Sequence, residues 1–115
     1  MTLAKKKLPV SYYAETGFNV ESTDTDEVMI EAQEGTPIAL VYIVASNTTG
    51  AAETVTIKAG DVDDDPVVIL EDVAVDDDEN EVLLESTQVG LRIEGDLIVQ
   101  ASDTGVNISA WGVSG

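Results

Sequence analysis

Cysteine and histidine are both absent from the 115 residues. Without cysteine there is no disulfide framework and no thiol nucleophile. Without histidine there is no Ser-His-Asp triad, no imidazole metal ligand and no imidazole acid–base catalyst. Aromatic residues are few: Tyr12, Tyr13, Phe18, Tyr42 and Trp111. The core must therefore come from Val, Ile, Leu and Ala, and branching at Cβ suits Val and Ile to a pleated sheet. Positive charge is also scarce, with 5 Lys and Arg against 23 Asp and Glu, a net charge of −18. Such a field repels phosphate, so nucleic acid is not an expected partner. No apolar run approaches the roughly 20 residues of a membrane helix, so no membrane partner is expected. No apolar region of about 7–15 residues follows Lys5–Lys7 as a secretion signal requires, so the chain is expected to be made and kept without secretion. Gly60, Gly90 and Gly95 are isolated and form no phosphate-binding loop.

Hydrophobic residues make up 43% of the chain, a globular composition of one-domain length. Short apolar stretches alternate with Gly, Asp, Asn, Ser and Thr clusters, the pattern of a β-sandwich. Leu8–Tyr13 reads as an edge strand that tolerates Pro9, and Thr16–Asp26 as a polar turn region. Val28, Ile30 and Ala32 form an apolar face opposite Met29, Glu31 and Gln33. Ile38–Ala45 is apolar on both faces, which predicts a strand covered on both sides. Glu53–Lys58 alternates with Val55 and Ile57 inward, and is expected to form a hairpin with Ile38–Ala45 across Asn47–Gly50. Val67–Leu70, Val73 and Val75, Val82–Leu84, and Leu91 and Ile93 mark further strands. Leu97–Ser102 and Val106–Trp111 flank Ser102–Gly105, a second expected hairpin. No i, i+3, i+4, i+7 pattern supports a helix. The reading is all-β: a single antiparallel β-sandwich, jelly-roll-like, of about eight strands, with residues 9–115 as the sandwich domain and 1–8 as a flexible basic N-terminal arm.

Residues 61–85 hold twelve acids and no Lys or Arg. Asp61, Asp63 and Asp65 alternate, with Asp72 at the twelfth position, as in a helix–loop–helix calcium loop. Pro66 stands where that loop needs glycine, and the flanks read as strand, so the motif is rejected. Asp61, Asp63, Asp65, Asp76 and Asp78 remain weak candidates for another Ca²⁺ site, against the simpler expectation of a hydrated skin, no metal and no cofactor. Paired catalytic carboxylates need unlike environments, which a uniform run such as Asp76–Glu79 does not offer. Asp103-Thr104-Gly105 spells the aspartic-protease tripeptide, but only ten residues follow it, so it reads as a tight turn. No catalytic residue and no enzymatic activity is expected.

Residues 1–20 carry a net charge of +2 and residues 21–115 a net −20. This asymmetry suggests a basic arm able to grip an acidic neighbour, including another copy of the chain. The stretches VTIKAGD (Val55–Asp61), EDVAVDDDENEVLLES (Glu71–Ser86) and LRIEGDLIVQAS (Leu91–Ser102) resemble small β-sandwich virion structural proteins of tailed phages and related viruses. The resemblance covers residues 38–113 and departs from the group's pattern in the acid-rich stretches Asp63–Pro66 and Asp76–Glu81. It implies a non-enzymatic capsid decoration or cement protein, made in the host cytoplasm and docked on the virion surface, binding the major capsid protein and stabilising the shell. A homo-oligomer, in particular a trimer at a three-fold site, would fit. Lys5, Lys6, Lys7, Tyr12, Tyr13 and Trp111 are the expected partner-binding residues, from charge and aromatic content. The alternative is a carbohydrate- or cell-surface-binding module of a tail or fibre, assisted by Ca²⁺.

Overall fold

The structure, a computed structural model, describes residues 11–31, 38–85 and 91–114. Nine strands run in order: β1 (Ser11–Asn19), β2 (Glu27–Ile30), β3 (Ile38–Asn47), β4 (Glu53–Gly60), β5 (Val67–Val75), β6 (Asn80–Glu85), β7 (Leu91–Ile93), β8 (Asp96–Ala101) and β9 (Val106–Ser114). They form two antiparallel sheets, β1-β9-β3-β6 with β7 also on β3, and β2-β8-β4-β5. No helix occurs among the described residues.

β6 and β7 pair with successive stretches of β3, Tyr42–Ser46 and Ile38–Leu40. They share one position in the sheet, so the nine strands, one more than the about eight expected, fill eight strand positions. The sheets then read 1-8-3-6 and 2-7-4-5, two Greek keys wound into a jelly roll. In this winding nearly every connection crosses from one sheet to the other. The two hairpins expected from the turn residues are therefore absent. β3 and β4 lie in opposite sheets, as do β8 and β9, so Asn47–Gly50 and Ser102–Gly105 arch over the core. β4 and β5 are the hydrogen-bonded consecutive pair instead. A turn sequence specifies that the chain reverses, not whether the next strand pairs beside the last or faces it.

Three local expectations also change. The first four residues of the expected polar turn region Thr16–Asp26 are strand, because β1 runs to Asn19 and pairs with β9, and the turn follows after it. A bulge between Glu15 and Phe18 accommodates Gly17, at φ 65°, whose N–H donates to Ser109 Oγ at 2.9 Å. In β2 it is Met29 that is buried, with Val28 and Ile30 half-buried beside it. A register shift against β8 between Val28 and Ile30 breaks the simple alternation. In β3 the two faces are closed unevenly: the consecutive Ala39 and Leu40 are both buried, and then Ile43, Ala45 and Asn47 are buried while Tyr42, Val44 and Ser46 are half-buried on the outer face.

The core between the sheets is aliphatic. Leu40, Ile43, Val55, Ile57, Val75, Leu97, Val99, Val106 and Ile108 are at most 1% exposed. Each contributes about 1.5–3 kcal/mol by leaving water. Flanking this core, Lys58 Nζ lies 3.0 Å from Asp26 Oδ2, and Gln100 Nε2 donates to Asp26 Oδ1 at 3.2 Å. The two charged side chains are about one-fifth exposed, between the surface and buried regimes. Asp26→Ala is expected to cost about 1–2 kcal/mol, read as a lowered urea midpoint.

Candidate interaction surfaces

The acidic clusters are exposed without exception: all twelve acids between Asp61 and Glu85 face solvent. Their placement follows from the winding. Asp61, Asp63 and Asp65 lie in the β4–β5 turn, while Asp76 and Asp78 lie between β5 and β6. The nine residues of β5 separate the two groups, about 30 Å at roughly 3.3 Å per residue. The Ca²⁺ candidates are thus split between opposite ends of the sandwich, and no three acidic side chains among the described residues converge on a point suited to a metal. Two instead tie loops: Asp61 Oδ1 accepts from Asp63 N within its own loop at 2.9 Å, and Asp77 Oδ1 accepts from Gly50 N of the β3–β4 loop at 2.9 Å. With like charges crowded at the surface, added salt should raise stability by screening. CaCl₂ is expected to raise the melting temperature no more than NaCl at equal ionic strength. An excess rise at millimolar Ca²⁺ would reveal a site this geometry does not show.

Asp103-Thr104-Gly105 forms the turn between β8 and β9. Asp103 Oδ1 accepts from Thr104 N at 2.6 Å, while the Gly105 carbonyl accepts from Thr48 N and Thr48 Oγ1, each at 3.1 Å. The tripeptide thus ties two loops that cap one end of the sandwich.

Of the expected partner-binding residues, Lys5, Lys6 and Lys7 lie outside the described residues. Tyr12 and Tyr13 sit in β1, the lateral strand of its sheet, where their backbones pair with Val113 and Gly112. Trp111 is on β9, between the inward Ala110 and Gly112, so its side chain faces outward from the sheet. It stacks on Tyr42 of β3, its cross-strand neighbour, with ring centroids 5.4 Å apart and planes tilted by 58°. Val44 and its cross-strand partner Val82, which is 44% exposed, stand beside this pair on the same face. The structure therefore assembles an outward apolar stripe from β9, β3 and β6. Sequence reading found only its Trp111. The parity of β3 could have added Tyr42 and Val44, once Ile43 and Ala45 were set inward.

A second apolar feature lies at the lateral edge of the other sheet. β5 is the end strand there, and Val67 and Val68 are 69% and 46% exposed. Next to it a cleft of about 240 Å³ opens between the sheets, lined by Ala59, Val67, Ile69 and Ile93, with Arg92 and Glu94 completing the wall. Small-molecule sites occupy about 300–1,000 Å³, so the cleft suits a side chain better than a metabolite. No family model matches this chain, and none of the curated proteins matches it.

Proposed function

We propose that this chain is a non-catalytic virion structural protein that decorates the outer surface of a capsid and cements its shell. In this role it binds the major capsid protein as a homo-oligomer, a trimer at a three-fold site being the symmetric arrangement that fits best. The observation that carries the reading is the strand order, β1-β9-β3-β6 over β2-β8-β4-β5. That jelly roll is an architecture shared by viral capsid proteins, lectins and cupins. A fold by itself does not imply a function. The resemblance of Val55–Asp61, Glu71–Ser86 and Leu91–Ser102 to small phage structural proteins selects the viral member of that set. The acidic skin supports the reading physically, since a protein that accumulates before docking must stay soluble. The outward stripe of Trp111, Tyr42, Val44 and Val82 supplies a contact face with an aromatic anchor.

Quantitative mass spectrometry of purified particles tests this directly. The expected result is a fixed, near-stoichiometric ratio to the major capsid protein. Trp111→Ala should weaken capsid binding by about 2 kcal/mol, roughly 30-fold, as loss of an aromatic hot spot does. Absence of the chain from particles would overturn the proposal. The same aromatic pair favours a second reading, a carbohydrate-binding module of a tail or fibre. That reading expects only a few copies per particle, and glycan binding that Trp111→Ala abolishes.

A further inference from the structure

We propose that the open edge of β5, at Val67–Leu70, receives the basic N-terminal segment, residues 1–10, of a second copy of this chain. An end strand leaves one side of its backbone free to pair, and an apolar one invites a partner strand. β5 ends the sheet order β2-β8-β4-β5, and its first two residues are the most exposed large hydrophobic residues described. The receptive stretch is short: the register against β4 already shifts once within it, at Ile69, and β5 is broken again further along. Glu71 and Asp72 together face Thr56, and Asp72 has φ 49°, which makes a bulge that twists the strand away from a flat edge.

Charge chooses the occupant. Asp61, Asp63, Asp64 and Asp65 precede this edge, and Glu71 and Asp72 follow it, with no Lys or Arg between. A second β5 would set these acids against their own copies, so self-pairing of the edge is opposed. Residues 1–10 contain Lys5, Lys6 and Lys7 and no acid, the one concentrated positive stretch in the sequence. In an extended segment, a period of two places Leu8 and Val10 on one face and Lys5 and Lys7 on the other. Leu8 and Val10 match the apolar cleft beside Val67 and Ile69, the lysines match the flanking carboxylates, and an edge position tolerates Pro9.

Geometry favours a second copy over the segment's own body. The segment leads into β1, which lies over β2 at one side of the sandwich, while β5 lies beneath β6 at the other. Three strand spacings and one sheet spacing separate them, about 17 Å on the diagonal. A chain folding back on itself would use about five residues on the crossing at roughly 3.3 Å each. Leu8–Val10 and the lysines would then span the end of the sandwich, away from the edge they match. This inference goes beyond the capsid reading and holds for the isolated protein in solution.

The test uses the full chain. Equal amounts of ¹⁴N- and ¹⁵N-labelled protein are mixed and joined with a zero-length carbodiimide reagent at low salt, and the products are mapped by mass spectrometry. The expected links join Lys5, Lys6 or Lys7 to Asp63–Asp65 or Glu71 and carry mixed isotopes. Val67→Ser with Val68→Ser, neutral changes at exposed positions that remove the apolar contact and add no carboxylate, should lower their yield about tenfold, equivalent to about 1.4 kcal/mol of pairing. The β circular-dichroism spectrum of this variant should be unchanged. Links within single-isotope chains only, links spread evenly over distant acids such as Asp24 and Asp76, or no links at all would each overturn the proposal.

Discussion

Replacing Gly95 with alanine is expected to cost about 4 kcal/mol, and the same change at Gly50 only about 1–2 kcal/mol. Both glycines hold left-handed backbone, at φ 90° and φ 94°, so both pay the conformational strain of a Cβ, about 1–2 kcal/mol. They differ in what the Cβ would meet. At Gly50 there is nothing within 4 Å. At Gly95 it would lie 2.7 Å from Gly60 Cα and 2.8 Å from Gly60 O. That obstacle is backbone. Gly60 is the last residue of β4, in register with Asp96 at the start of β8, so it can yield only by opening that ladder. Overpacking of this kind adds about 1–3 kcal/mol. In urea, with a slope of about 2 kcal/mol per M, the Gly95→Ala midpoint should fall by about 2 M and that of Gly50→Ala by less than about 1 M. Equal shifts would mean that the turn relaxes and that the contact with Gly60 is not a constraint.

The second large effect is expected at Asn47, where alanine should cost about 3 kcal/mol. Asn47 is 0% exposed at the end of the inward row that runs through Ile43 and Ala45. Its side-chain amide donates to the carbonyls of Ala51 at 2.7 Å and Val75 at 2.9 Å, and its Oδ1 accepts from Thr49 N at 2.9 Å. Its backbone N–H donates to Glu79 O at 3.1 Å, and its carbonyl accepts from Asp78 N at 2.9 Å. One residue thus joins the β3–β4 loop to the end of β5 and the turn before β6. Alanine would take the side-chain partners from the Val75 carbonyl and the Thr49 amide, while the Ala51 carbonyl would keep the Thr49 hydroxyl at 2.8 Å, and each orphaned buried group costs about 1–3 kcal/mol. A global stability of 5–15 kcal/mol is typical, so the loss would be a large fraction of it.

Asn47→Asp refines this test. It keeps the shape but turns an oxygen toward the Ala51 and Val75 carbonyls and buries a charge. Burial raises the carboxyl pKa in the folded state above its unfolded value of about 3.9. Its share of stability is then greatest below about pH 4 and is lost as pH rises through the folded value. The deficit relative to the parent protein should therefore widen from acid to neutral pH, whereas that of Asn47→Ala should stay nearly flat. A flat Asn47→Asp deficit would show that the site admits water. The burial also means that Asn47-Thr48-Thr49, a glycosylation sequon by spelling, presents no accessible acceptor amide in the folded protein.

The sequence by itself determined the class of fold. Val and Ile at period two in Glu53–Lys58, the near absence of helical spacing, and turn residues between short apolar runs all describe strands, because strand formation depends on local sterics and alternation. Exposure of the acid runs was equally legible, since uncompensated carboxylates at such density cannot be buried. What local pattern could not decide was which strands are neighbours. Ser102–Gly105 is a sound turn whether β8 and β9 pair or lie across the core, and only closure of the whole jelly roll placed them in opposite sheets. Bulges had the same power at smaller scale. A one-residue shift in β2 sent Met29 inward, since each slip exchanges the two faces of a strand. The surfaces were decided last. The packing of β9 against β3 put Trp111 and Tyr42 together on the outside, and the position of β5 at the end of its sheet left Val67 and Val68 uncovered. These features depend on long-range pairing between residues far apart in the chain, which no local alternation encodes.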